Sequence, residues 1–384
     1  MRMCLITGIF PPDVGGPATY VNNLARALHH QQHQVCVITL GDAELASPFP
    51  VKRISRTYPL PVRVVVIFAV LLRRGWQSEV WYVNGLELPA VLAGKILRKR
   101  LVMKVVSDYA WERAGNQGLT TDTVQEFQTK TQPWKVELHK KLRAWLTRQV
   151  EMVITPSQHV KRLVCGWGNV AERVQVIYNA VEPIAEDDLG TKTATRQRLG
   201  LPVDAYVLIT IGRLIPLKGV DALIRAIAWF RNAPEETKEY VLLIVGDGAE
   251  KNRLTELART LHVSDLVYFL GQRDRASALA YLRASDLFVL NSSTEGFSHV
   301  ILEAMMTGTP VIATNVGGNP ELVTHHENGI LIPHGDFEAL TAQIRTVARD
   351  QTLQARFSEA GRLTVQQFAW ERLLQQTLDV LQGA

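Results

Sequence analysis

LFVLNSSTEGFSHVILEAMMTGTPVIATN, residues 287–315, reads as strand, loop, helix, turn and strand. Two short apolar runs, 287–292 and 310–315, flank a helical segment that opens near Gly296 to Ser298. This is one βαβ unit, and its crossover calls for a parallel sheet covered on both faces. Two carboxylates stand in it. Glu295 lies at the mouth of the helix, and Glu303 sits in the helix between VIL and AMM.

Working outward, the same alternation recurs along the chain. Strands are predicted at 3–7, 34–40, 79–84, 100–106, 152–156 and 174–179, then at 206–212, 240–248, 266–271, 287–292, 310–315 and 328–333. Between the two series, 182–205 is polar and turn-rich. The expectation is two doubly wound, Rossmann-like α/β domains, 1–185 and 186–365, with a ligand cleft between the carboxyl ends of their sheets. Periodicity leaves open whether the final helix, 366–384, packs back against the first domain.

Composition narrows the class. A chain of 384 residues with 47% hydrophobic residues has material for two cores. No apolar run is long enough to span a bilayer, and MRMCLITGIFPP meets a Pro-Gly loop too early for a signal peptide. Cys4, Cys36 and Cys165 have neither metal nor disulfide spacing, so Cys4 and Cys36 read as small core residues of a cytoplasmic protein. Residues 1–185 hold 23 Lys and Arg against 13 Asp and Glu (+10), whereas 186–384 hold 19 against 24 (−5). The first half therefore faces something anionic. Aromatic residues are not interleaved with the basic ones and no recognition motif is present, which argues against nucleic acid and for a membrane surface or a phosphate-bearing acceptor.

The chemistry-bearing residues follow strand ends. After 206–212 comes GRLIPLKG: Gly212 permits close backbone approach, and Arg213 and Lys218 suit a diphosphate. The helix start at Gly296, Phe297 and Ser298 offers N–H groups to an anion. In a helix, Glu295 and Glu303 would have Cα atoms about 12 Å apart. One could accept hydroxyls from a sugar and the other from a ribose, with the diphosphate between them. A polar stripe with a first-turn dipole partner fits the spacing equally well.

A resemblance separates these readings. GRLIPLKG, EGFSHVILEAMMTGTPVIAT, NVGGNPELV and ENGILIPHGD, together with PPDVGGPATYVNNLARAL and NAVE, resemble retaining glycosyltransferases of family 4, which have the GT-B fold. Glu295 and Glu303 match that family's E-x7-E signature. The resemblance implies a nucleotide-sugar donor, a UDP- or GDP-sugar, bound by the second domain. Arg213 and Lys218 would hold its diphosphate, Glu295 the transferred sugar, Glu303 the ribose, and Arg273 the base. Gly15 and Gly16, in the loop after the first strand, would approach the donor phosphate or the acceptor. Leaving-group stabilisation by cations implies no metal or other cofactor, and no D-x-D motif is present. The first domain would bind the acceptor, a lipid-linked glycan or polysaccharide precursor.

One departure stands out. Many family members carry His-Asp where this chain has Ser107-Asp108. Asp108 reads either as a catalytic-site contact to sugar or acceptor, or as a helix cap. The segments 62–76 and 134–149 are basic and apolar; the first reads as a membrane-surface helix or, with more weight, as a core helix with snorkelling ends. A monomer at the inner membrane face, transferring a hexose-type sugar, is the leading expectation. Its alternatives are a nucleotide-sugar epimerase and a catalytically silent binding or assembly subunit.

Overall fold

A computed structural model describes residues 1–13, 15–182, 190–233 and 235–383. The chain divides into two compact units, Met1–Ile177 with Glu371–Ala384, and Tyr178–Trp370. The boundary expected at 185/186 falls within 183–189, outside the described residues.

In the first unit seven strands form one sheet: β1 (Arg2–Thr7), β2 (Gln34–Leu40), β3 (Val51–Ile54), β4 (Val80–Asn84), β5 (Arg100–Lys104), β6 (Met152–Thr155) and β7 (Val174–Val176). Their order is β3-β2-β1-β4-β5-β6-β7 and every pairing among them is parallel. Helices on both faces bury the central strands; Leu5, Ile6, Trp81, Tyr82, Val83 and Val102 are at 0% exposure. The C-terminal helix, Trp370–Gln382, enters this unit from Glu371, where Arg100 Nη2 donates to the Val380 carbonyl at 3.0 Å.

The second unit repeats the plan with six strands: β8 (Tyr206–Ile211), β9 (Tyr240–Val245), β10 (Val267–Gly271), β11 (Leu287–Leu290), β12 (Val311–Thr314) and β13 (Ile330–Ile332). They are ordered β10-β9-β8-β11-β12-β13, again all parallel. Continuous apolar strands such as YVLITI and YVLLIV suit burial on both faces, and most of their residues are inaccessible. The quoted βαβ unit is β11, the helix His299–Met306, and β12.

β3 was not expected. It is four residues long, VKRI, at the sheet edge with two cations turned partly to solvent, so it lacks the apolar run that marks the others. The helix Leu60–Arg74 also differs from a plain core helix. Only Ile67 and Leu71 of its side chains are buried, while Leu60 and Val65 are 61% and 64% exposed. The core reading of this segment holds for one stripe of the helix alone.

Candidate active site

β8 and β11 are hydrogen-bonded neighbours although β9 and β10 intervene in the chain. The strand order reverses there, and such a switch point leaves a crevice beyond the carboxyl ends. The loops that leave these two strands carry the chemistry.

Their backbones are locked together by glycines. Gly219 has φ +58°, and a Cβ on it would lie 2.4 Å from the Asn291 carbonyl oxygen. In return Asn291 Nδ2 donates to the Gly219 carbonyl at 3.1 Å, and Ser293 N–H donates to the Leu217 carbonyl at 2.8 Å. Gly317, at φ +59°, leaves room of a similar kind: its Cβ would fall 1.8 Å from the Glu295 oxygen, which accepts from Gly318 N–H at 2.9 Å. The loops after β8, β11 and β12 therefore form one platform with the backbone of Glu295 at its centre.

On this platform Lys218 Nζ stands 2.5 Å from Glu295 Oε1, the two side chains being 23% and 13% exposed. Both belong to loops at the switch point, 77 residues apart in sequence. The Lys218 stem runs over Gly212, with Cε 3.6 Å from where a Cβ would stand. Arg213 is exposed, and it makes no ion pair among the described residues. A free guanidinium and a shared ammonium thus flank the crevice, a pairing that fits a diphosphate.

Ser298 caps the helix His299–Met306, its Oγ accepting from Ile301 N–H at 3.4 Å. Phe297 is turned away from solvent. Its ring packs against Tyr178 and Phe368 at centroid distances of 5.1 and 5.5 Å, and its carbonyl accepts from Asn179 Nδ2 at 3.3 Å. That aromatic anchor fixes the entry angle of the helix.

Glu303 lies one helical face further on and is 17% exposed. Burial holds its carboxyl above the usual glutamate range, with the Arg275 guanidinium pulling the other way. Arg275 Nε is 3.3 Å from Glu303 Oε1, and Arg275 Nη2 donates to the Glu182 carbonyl at 2.9 Å. A carboxylate amid apolar neighbours is thus tolerated because a guanidinium answers it. The sequence reading singled out Arg273, which is exposed; Arg275, the first residue of the helix Arg275–Ala284, was missed. Its only signal was its place just after Asp274, whose side chain caps that helix.

In the first unit Gly15 and Gly16 begin the helix Gly16–His30 beyond β1; Val14 lies outside the described residues. A Cβ on Gly16 would meet nothing within 4 Å, and one on Gly15 would lie 3.1 Å from the Ile9 side chain. Asp108 is engaged internally. It caps the helix Tyr109–Asn116, with Oδ1 accepting from Ala110 and Trp111 N–H at 3.0 and 3.1 Å. Its Oδ2 pairs with buried Arg143 and accepts from Gln128 Nε2 at 2.9 Å. At 1% exposure it fills the capping role that stood beside a sugar contact in the sequence reading.

Comparison with known proteins follows the same division. The family model "Glycosyl transferases group 1" matches residues 191–364, and "Glycosyltransferase Family 4" matches 14–184. A D-inositol 3-phosphate glycosyltransferase of Saccharomonospora viridis is 36% identical over 201 residues, covering 51% of this chain and 47% of the relative. A lipopolysaccharide core biosynthesis glycosyltransferase, LpsE of Rhizobium meliloti, is 33% identical over 224 residues, covering 57% and 63%. The chain thus spans about half to three fifths of the length of these curated relatives. The crystal structure of Anabaena Alr3699/HepE in complex with UDP and glucose superposes with a TM-score of 0.81 at 23% identity over the whole of both chains. With both of its units matched in this way, the chain belongs to the group 1, family 4 glycosyltransferases and has their GT-B fold.

Proposed function

We propose that the protein is a retaining glycosyltransferase that moves a hexose-type sugar from a nucleoside-diphosphate donor to an acceptor hydroxyl. The observation that carries the reading is the ion pair of Lys218 and Glu295 across the switch point of the second unit, with Glu303 on the adjoining helix paired to Arg275. Lys218 and Arg213 hold the diphosphate and stabilise the charge that develops on it as the glycosidic bond breaks. Gly212 lets the donor approach the backbone closely, the main chain at Gly296 to Ser298 adds N–H groups, Glu295 accepts hydroxyls of the transferred sugar, and Glu303 accepts those of the ribose. UDP is the favoured nucleotide, since the similar Anabaena structures contain UDP and UDP-glucose.

The first unit takes the acceptor beside Gly15 and Gly16, and an amphiphilic acceptor suits its surface. Leu60 and Val65 of the helix Leu60–Arg74, and Trp134 and Leu138 of the helix Trp134–Gln149, are exposed among Arg63, Arg73, Arg74 and Lys135. That combination favours peripheral contact with an anionic membrane and a lipid-linked glycan or polysaccharide precursor as acceptor. Among the described residues no helix is long and apolar enough to cross a membrane.

The test is donor turnover with water as a slow acceptor, followed by proton NMR. Release of UDP and of a free sugar in the donor's own anomeric form, abolished by Lys218→Ala, supports retaining transfer. Interconversion of the donor sugar without UDP release would instead make the protein an epimerase, and no turnover of any nucleotide sugar would remove the reading.

A further inference from the structure

A second concave site lies in the first unit, at the amino ends of β1, β2 and β3, the opposite sheet edge from Gly15 and Gly16. It is a cleft of about 740 Å³, and no Asp or Glu lines it. Arg2, Lys52 and Arg74, all exposed, and half-buried His29 and His33 do. Arg2 is 3.4 Å from Glu79 just outside, and His33 is kept below its usual range by burial and by the N-terminal amine. The walls are otherwise apolar or neutral, with Phe49 packed edge-on to His29 at 5.9 Å.

Cys36 opens into this cleft and is half-buried. Its register partner across the parallel β1–β2 ladder is Cys4, which is at 0% exposure. Facing residues in neighbouring strands lie about 4.8 Å apart, inside the Cα separation of roughly 4.4–6.8 Å that a disulfide accepts. On the other side Ser78 Oγ is 3.8 Å from Cys36 Sγ. Hydrogen bonds from Cys4, chiefly, and from Ser78 lower the Cys36 thiol to about 7, whereas Cys4 stays protonated well above its usual range. The expectation of two small core residues thus holds for Cys4, whereas Cys36 is only partly buried and opens into the cleft.

We propose that this cleft is a thiol-modification site for small anionic disulfides, with Cys36 as the attacking thiol and Cys4 as the resolving one. The Cys36 thiolate attacks one sulfur of the disulfide RS–SR, forming a Cys36–SR mixed disulfide and expelling RS⁻. Cys4 then attacks the Cys36 sulfur, giving the Cys4–Cys36 disulfide, a second RS⁻ and one proton. The external disulfide is reduced by the two electrons that the protein thiols lose. The cations of the cleft raise the local concentration of an anionic reagent, an effect that salt screens.

The test uses the full chain with two chromogenic reagents, the dianionic dithiobis(nitrobenzoate) and the neutral dithiodipyridine, each rate divided by that of free cysteine. Wild type and Cys165→Ser are expected to release two arylthiolates per chain in the fast phase, Cys4→Ser one, and Cys36→Ser none. The normalised rate for the anionic reagent should exceed that for the neutral one by about tenfold at low salt, and the excess should vanish in Lys52→Gln/Arg74→Gln. Peptide mass mapping of wild type locates the modified thiol independently of how the variants fold. A fast phase that maps to Cys165, equal normalised rates for the two reagents, or a single thiolate released by wild type would each overturn the proposal.

Discussion

Glu295→Gln is expected to have opposite effects on nucleotide binding and on turnover. In the free protein Glu295 occupies the ammonium of Lys218 at 2.5 Å, so an incoming diphosphate competes with it for that cation. The pair is 23% and 13% exposed, between the surface case and the buried one. Surface pairs are worth about 0.2–1 kcal/mol, and breaking a buried pair costs about 3–5 kcal/mol, much of which is the stranded partner. Freeing Lys218, and withdrawing one negative charge from beside the diphosphate, should therefore gain about 1–2 kcal/mol, a factor of roughly 5–30 in affinity. Titration calorimetry with UDP alone reads this directly: tighter binding by Glu295→Gln than by wild type. Donor turnover should meanwhile fall, because the amide no longer accepts the sugar's hydroxyls as an anion does. If UDP binds the variant more weakly, the ion pair does not compete with the diphosphate and the placement of Lys218 is wrong.

Arg213→Ala should change the melting temperature little, since the side chain is exposed without an ion pair among the described residues, yet lower donor affinity by the value of a charged hydrogen bond, about 1.5–3 kcal/mol. Glu303 must be ionised to accept ribose hydroxyls, and burial raises its carboxyl. Donor affinity should therefore decline on acidification at a pH above the ordinary glutamate range, and Glu303→Gln should flatten that limb of the titration. The raised value also means that the folded chain holds this proton more readily than the unfolded one, so the group favours folding as pH falls. Gly317→Ala places a Cβ 1.8 Å from the Glu295 oxygen and should abolish donor binding, whereas Gly271→Ala, also at positive φ but in open space, should cost stability alone. Asp108→Ala strands the buried guanidinium of Arg143 and removes a cap; calorimetry should show a loss of about 3–5 kcal/mol in the first unit.

Strands with continuous apolar runs were legible to within three residues at each end, because burial on both sheet faces leaves little choice of residue. YVLITI and LFVL needed no partner to be read. β3 was not legible, since an edge strand of four residues with Lys52 and Arg53 carries its register in its pairing with β2 rather than in its composition. The site divides in the same way. Glu295, in the loop before the helix, and Glu303, within it, are eight residues apart and could be found from spacing, but the Lys218–Glu295 pair joins loops that only the strand order makes neighbours. Arg275 reaches Glu303 across 28 residues, and Asp108 meets Arg143 across 35. Contacts of that reach leave no periodic trace. The cationic excess of the first half was visible as a sum, but its focus around Cys36 required the three strand starts to be placed side by side.

The most direct test of the donor-site assignment is calorimetric titration of UDP into wild type and into Arg213→Ala/Lys218→Ala. The account predicts saturable binding to wild type with one site per chain, and its loss in the double variant while the melting transition of the second unit persists. Undiminished UDP binding by the double variant would place the donor elsewhere and contradict the account.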